Sequence, residues 1–65
     1  MKVKFMLDDV TVEFKATDMD NAKKKLVEFF SKLDIRVRDF EYYDDDLVAV
    51  ILIPERIHVS VTRET

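Results

Sequence analysis

Cysteine, glycine, tryptophan and glutamine are all missing from this chain of 65 residues. Without cysteine, the fold has no disulfide bonds and no zinc site built on thiolates. His58 is the only histidine, which disfavours a zinc site built on imidazole ligands. No apolar run is long enough for a transmembrane helix, and an alternating strand pattern stands where a signal peptide would begin. The sequence therefore predicts a cytoplasmic protein with no membrane partner, no bound metal and no cofactor.

The length of the chain allows one small domain, residues 1–65. A domain of this size buries only about 60% of the surface that its unfolded chain exposes, so its core needs support. Because the composition disfavours disulfides and metal sites, association with another chain is the remaining way to support the core. The net charge of −3 argues against nucleic acid as the main partner. Abundant lysine and glutamate beside a single asparagine is a composition typical of thermophilic proteins.

The longest apolar run is Leu47–Ile53, which contains seven residues and is rich in β-branched side chains. Asp44–Asp46 precede it and Pro54 follows it. A short apolar run between such breakers predicts a strand buried on both faces, at the centre of a sheet. Alternation along this strand separates Leu47, Ala49, Ile51 and Ile53 from Val48, Val50 and Leu52.

Two alternating runs at the start of the chain predict a tight β-hairpin. In the first run, residues 2–7, the apolar residues Val3, Phe5 and Leu7 share one face. The second run, residues 10–16, alternates in the same way. Asp8 and Asp9 connect the two runs, and aspartate tolerates the left-handed backbone that such a turn requires.

One helix is predicted over about Asp18–Leu33, because apolar residues recur there at helical spacing. Thr17 or Asp18 can cap its N-terminus. The apolar stripe consists of Met19, Ala22, Leu26, Phe29, Phe30 and Leu33. A helix with one apolar face is expected to cover one face of the sheet.

Three further strands are predicted in the second half of the chain. In Ile35–Tyr43 the apolar phase changes, which indicates either a β-bulge near Asp39 or partial cover on both faces. Short connections on both sides of the central strand predict a meander that ends with a strand around Ile57–Val61. The predicted fold is α+β in the order β-β-α-β-β-β, a single mostly antiparallel sheet with one helix packed across one face.

The sheet face without the helix is the main functional lead. We expect it to display Met6, Arg36, Arg38, Phe40, Tyr42, Val48, Val50 and Leu52. Soluble monomers rarely expose an apolar patch larger than roughly a few hundred Å² without a use, although arginine and lysine stems can cover one.

We therefore predict a non-catalytic protein-interaction or assembly module. Its partner is most simply a second copy, in a homodimer joined through the helix-free face, or else another protein. The predicted anchors are Phe40, Tyr42, Val48, Val50 and Leu52, and the predicted polar rim is Arg36 and Arg38. An exposed edge strand offers a further way to pair with a copy.

The alternative function is binding of single-stranded nucleic acid, such as RNA, on the same face. Phe40 and Tyr42 would stack on bases while Arg36 and Arg38 contact phosphates. The spacing of these residues matches no specific RNA-binding signature.

Three other features favour structural interpretations. Lys23–Lys25 with Lys32 can contact nucleic acid or an acidic partner, but such a run is more often a solvated helix face. Asp44–Asp46 with Glu41 lacks the glycine and the ligand spacing of a calcium loop, so a charged turn is favoured. His58 lies at a polar strand position with no nucleophile motif beside it, so we assign no catalytic residue and predict no enzyme.

Overall fold

The computed structural model of the protein describes residues 1–44, 47–52 and 55–62. Its elements are β1 (Lys2–Leu7), β2 (Val10–Lys15), α1 (Met19–Lys32), β3 (Val37–Asp44), β4 (Leu47–Leu52) and β5 (Arg56–Thr62). The strands form one five-stranded antiparallel sheet in the order β2-β1-β5-β4-β3. This confirms the predicted α+β class, the element order and the meander of the last three strands. Within the described residues, no helix has the length and apolar character needed to cross a membrane.

The N-terminal hairpin has the predicted two-residue connection. Leu7 pairs with Val10, and the register between β1 and β2 then continues without a shift. Asp8 in the turn has a φ of 55°, a left-handed value that glycine usually takes and aspartate tolerates. Beyond the strands, Met1 and Ala16 exchange two backbone hydrogen bonds of 2.7 and 2.8 Å.

The N-terminus of α1 is capped by Asp18, one of the two predicted residues. Its side chain accepts a hydrogen bond of 2.8 Å from the backbone N–H of Asn21. This bond satisfies one of the first N–H groups of the helix, which have no partner within it. Ala22, Leu26 and Phe30 are the buried residues of α1, as the apolar stripe predicts.

The C-terminus of α1 is a Schellman motif. The N–H of Ile35 donates to the carbonyl of Phe30 at 2.9 Å, and the N–H of Asp34 donates to that of Ser31 at 3.1 Å. Asp34 has a φ of 59°, at the position where glycine is commonest. The motif turns the chain away from the helix axis towards β3.

The core lies between α1 and one face of the sheet. The buried sheet residues in the core cluster are Val3, Phe5, Val48, Val50, Leu52, Val59 and Val61. The predicted placement of Val48, Val50 and Leu52 on the helix-free face is therefore wrong. The alternate residues of β4 take that face instead, and these are Leu47, Ala49 and Ile51.

Cross-strand pairing explains the orientation of β4. Val48 pairs with Val59 and Val50 pairs with Ile57, while Val59 also pairs with Phe5. Residues directly opposite each other in antiparallel strands share a face, so all of these point towards α1. The apolar run itself has no alternation, so it does not determine which half faces the helix. Pairing with β5, in which polar and apolar residues alternate, determines which half faces the helix.

β3 contains the predicted bulge. Its pairing with β4 shifts between Val37 and Asp39, and shifts again between Tyr42 and Asp44. The first shift lies where the apolar phase changes in the sequence. The predicted turn residues Asp45, Asp46 and Pro54, together with Ile53, lie outside the described residues.

Candidate interaction site on the helix-free face

The helix-free face is the side of the sheet that points away from α1. An apolar row on β4, Leu47, Ala49 and Ile51, lies between polar side chains of the neighbouring strands. The other residues of this face are Lys2, Lys4, Met6, Thr11, Glu13, Lys15, Asp39, Glu41, Tyr43, Arg56, His58, Ser60 and Thr62. Met6 is 61% exposed and Tyr43 is 50% exposed, whereas Leu47 and Ile51 are half-buried. The face is therefore more polar than the sequence predicted.

Side chains from β3 and β5 meet above β4. The ring centroids of Tyr43 and His58 are 5.8 Å apart, with an angle of 36° between the rings. Arg56 Nη1 lies 3.5 Å from Glu41 Oε2. Ala49 is opposite both Glu41 and His58 and is fully buried. Because its side chain is a single methyl group, the longer side chains of both neighbouring strands can close over it.

Two hydrogen bonds on this face change the ionisation of their partners. The hydroxyl of Tyr43 donates to Glu41 Oε2 at 2.8 Å, and this bond raises the pKa of Tyr43 above its ordinary value. Lys2 Nζ lies 2.6 Å from Glu13 Oε1, and the hydrogen bond between them lowers the pKa of Glu13. Both pairs are exposed to solvent, so they contribute little to folding stability and define local geometry instead.

Charge is distributed unevenly over the face. The basic side chains on β1 and β2 are Lys2, Lys4 and Lys15, and the acidic ones on β3 are Asp39 and Glu41. Glu13 on the basic side is paired with Lys2, and Arg56 is paired with Glu41. The helix-free face is therefore basic at its β1–β2 side and acidic at its β3 side.

Phe40 and Tyr42 lie on the opposite side of β3 from the one predicted. They are paired with Val50 and Val48, which belong to the core. Lys23 Nζ on α1 is 5.9 Å from the ring centroid of Phe40 and 5.5 Å from that of Tyr42. A hydrogen bond with Tyr42 raises the pKa of Lys23. The two rings flank the helix, and their predicted placement on the helix-free face is wrong.

Arg36 and Arg38 do not form a rim around those rings on the helix-free face. Arg36 lies just before β3 and lines a cavity of about 390 Å³ beside α1, together with Val27, Ser31, Asp34, Ile35 and Val37. Arg38 is exposed within the register shift between Val37 and Asp39. The residues of the predicted RNA platform are therefore not brought together on the helix-free face.

The remaining sequence candidates have ordinary surroundings. His58 is exposed, as predicted. Lys24 and Lys25 are exposed on α1, and Lys25 Nζ donates to the backbone carbonyl of Lys15 at 2.7 Å. Among residues 1–44, 47–52 and 55–62, no three histidine, aspartate or glutamate side chains come together to hold a metal ion.

Sequence reasoning missed Tyr43, Leu47 and Ile51 as residues of the helix-free face. One signal in the sequence points to Tyr43. After the bulge, Asp39, Glu41 and Tyr43 alternate with the aromatic residues that flank the helix. Leu47 and Ile51 have no such signal, because their face follows from the register in which β4 pairs with the polar residues of β5.

Comparison with known proteins gives no relative: no protein-family model, no curated protein and no solved structure matches the chain.

Proposed function

We propose that the protein is a cytoplasmic, non-catalytic assembly module whose partner is a second copy of itself, bound through the helix-free face. The supporting observation is the apolar row Leu47, Ala49 and Ile51, which has no layer above it in the described part of the chain. Neither Leu47 nor Ile51 belongs to the core cluster beneath α1. Half-buried aliphatic side chains of this kind gain burial when a second sheet packs face to face. Tyr43 adds an exposed aromatic ring, a side chain that often dominates interface energetics.

The charges of the face favour a second copy as the partner. A two-fold axis parallel to the strands, between two facing sheets, places β1 and β2 of one copy over β4 and β3 of the other. Lys4 then approaches the acidic side of the partner, and Asp39 approaches its basic side. Such complementarity orients the two copies and excludes the arrangement in which like charges meet.

The size of the face determines how strong this association is. Five strands spaced about 4.8 Å apart and about six residues long give a face of roughly 24 by 20 Å. Two such faces bury roughly 1,000 Å², which is at the lower limit for a specific interface. We therefore expect a reversible dimer whose population depends on protein concentration.

Ile51→Lys tests this contact, because it places a charge at one end of the apolar row without changing the core cluster. Light scattering on a size-exclusion column, over a range of concentrations, measures the mass. The native mass should rise above 7.7 kDa as the concentration increases, and the mass of Ile51→Lys should be lower than the native mass at each of those concentrations. We expect the dissociation constant to increase at least about tenfold.

Val27→Lys is the matched control. Val27 is 43% exposed on α1, so the same chemical change is made away from the helix-free face. A native protein that stays at 7.7 kDa at every concentration would contradict the proposal. If Ile51→Lys and Val27→Lys weaken association equally, the effect comes from the change in net charge and not from a contact at Ile51. Circular dichroism melting curves confirm that each variant is folded.

A further inference from the structure

The sheet has two edges, which differ in regularity. β3 forms one edge, and its pairing with β4 is interrupted by two register shifts. β2 forms the other edge, and its pairing with β1 has no shift. Bulges are among the features that protect an edge from pairing with another chain. The edge of β2 lacks this protection, and no strand in the described part of the chain covers it.

The hairpin shows which backbone groups of β2 point outwards. Met1 and Ala16 form a hydrogen-bonded pair, and such pairs alternate with non-hydrogen-bonded pairs along an antiparallel ladder. Thr11, Glu13 and Lys15 therefore direct their N–H and C=O groups away from β1. The carbonyl oxygen of Lys15 already accepts a hydrogen bond from Lys25 Nζ at 2.7 Å. The outward groups of Thr11 and Glu13 are the ones that a further strand can join without displacing that bond.

We propose that β2 pairs antiparallel with β2 of a second copy, with Val12 on the two-fold axis and Thr11 opposite Glu13 of the partner subunit. In this register the new hydrogen bonds use only the outward groups of Thr11 and Glu13 in both copies. The bond between Lys25 and Lys15 is retained. The two sheets become one continuous sheet, with both helices on the same side.

Side chains on the helix side of β2 match in the same register. Val10 lies opposite Phe14 of the partner subunit, and Val12 lies opposite its own copy. Val10 is 62% exposed, and Val12 and Phe14 are half-buried, because α1 does not cover the edge strand fully. These pairs fall at the non-hydrogen-bonded positions of the new ladder, where opposite side chains approach most closely.

Registers shifted towards the C-terminus of β2 are less favourable. Registers change in steps that keep each side chain on its own face. With Glu13 on the axis, two carboxylates of like charge lie directly opposite each other, which is destabilising. With Phe14 on the axis, Glu13 faces Lys15 of the partner subunit, but the ladder then requires the carbonyl that Lys25 occupies.

This edge contact goes beyond the contact proposed through the helix-free face, because the two use different surfaces of the same chain. Either contact can form without the other. Their failures are distinguishable when one contact is removed by substitution and the other is measured.

Thr11→Lys and Thr11→Glu, each made in the Ile51→Lys protein, test the register. Thr11 is exposed opposite Met6, so the folded monomer accommodates either side chain. A lysine there faces Glu13 of the partner subunit and tightens association, whereas a glutamate faces the same carboxylate and weakens it. We expect their dissociation constants from sedimentation equilibrium to differ by about tenfold. Ser31→Lys and Ser31→Glu, at an exposed position on α1 away from β2, are the matched controls and should not differ.

The outcomes separate the two contacts. The expected order of the Thr11 variants, with slow amide exchange at Thr11 and Glu13 in the associated state, supports edge pairing. The reverse order would place Thr11 opposite Lys15 and overturn the register. An Ile51→Lys protein that is monomeric at every concentration would overturn edge pairing and leave the face contact standing. Association that resists Ile51→Lys but responds to the Thr11 variants would overturn the face contact alone.

Discussion

At the scale of single residues, Ala49 decides how the helix-free face is arranged. It is fully buried although it lies on the uncovered side of the sheet, because longer side chains of β3 and β5 meet above it. Leucine or isoleucine at this position would separate Tyr43 from His58 and Glu41 from Arg56. The sequence alone gives a small residue in an apolar run no evident role, because that role depends on its cross-strand neighbours.

The hydrogen bond from Tyr43 to Glu41 can be tested by titration. Glu41→Ala removes the acceptor, so the pKa of Tyr43 should fall towards its ordinary value. Phenolate absorbance measures this pKa in a Tyr42→Phe background, because the chain contains two tyrosines. A raised pKa means that the bond stabilises the fold at pH values below the unfolded pKa of about 10, and that this contribution is lost as the pH rises through the folded pKa.

Glu28→Ala is the control for that titration, since Glu28 is an exposed glutamate on α1. It removes the same charge from another surface and should leave the pKa of Tyr43 unchanged. If Glu41→Ala leaves the pKa of Tyr43 unchanged, another interaction is the cause of the raised pKa.

At the scale of elements, sequence pattern is informative wherever polar and apolar residues alternate clearly. β1, β2 and α1 follow the prediction in position and in the face they bury, because each has one polar and one apolar side. β4 is apolar at every position, so its existence is predictable but its orientation is not. That orientation depends on pairing with β5, a contact between strands that periodicity within one strand does not describe.

The bulge in β3 shows the same limit. The change of phase near Asp39 predicts an irregularity, and the register shift there confirms it. Which side of the sheet Phe40 and Tyr42 take depends on how the backbone absorbs the extra residue. Their position beside Lys23 therefore follows from the structure and not from their spacing.

At the C-terminus of α1, a single substitution should increase the stability of the fold. Asp34 takes a left-handed backbone in the Schellman motif, where glycine avoids the steric cost of a Cβ atom. Asp34→Gly should raise the free energy of unfolding by about 0.5 kcal/mol, measured by urea denaturation. Asp20→Gly, in the first turn of α1, should instead lower it by about 1 kcal/mol, because glycine is a poor helix former and the acidic side chain is lost. A loss of stability in both variants would mean that Asp34 makes a stabilising contact greater than the strain of its backbone.

At the scale of the whole molecule, one helix is too small to cover a five-stranded sheet. α1 covers the centre of one face and leaves Val10 at the β2 edge largely exposed. The opposite face has no second layer in the described part of the chain and is closed only by cross-strand side-chain pairs. The sequence predicted this imbalance correctly from the number of strands and helices. It did not predict that the uncovered face is mainly polar, because that depended on the orientation of β4.

A polar face that associates with its own copy should do so in a salt-dependent manner. Raising the salt concentration from about 0.05 to about 0.5 M shortens the screening length several-fold, so the dissociation constant of the face contact should increase several-fold. Lys4→Gln should weaken association at low salt and reduce this dependence, because Lys4 approaches the acidic side of the partner in the proposed arrangement. Lys24→Gln removes the same charge from the exposed side of α1 and should change neither property. If Lys4→Gln and Lys24→Gln have the same salt dependence, the copies are oriented differently from the proposed arrangement. If association strengthens as the salt concentration rises, the apolar row of β4 alone is responsible for the contact.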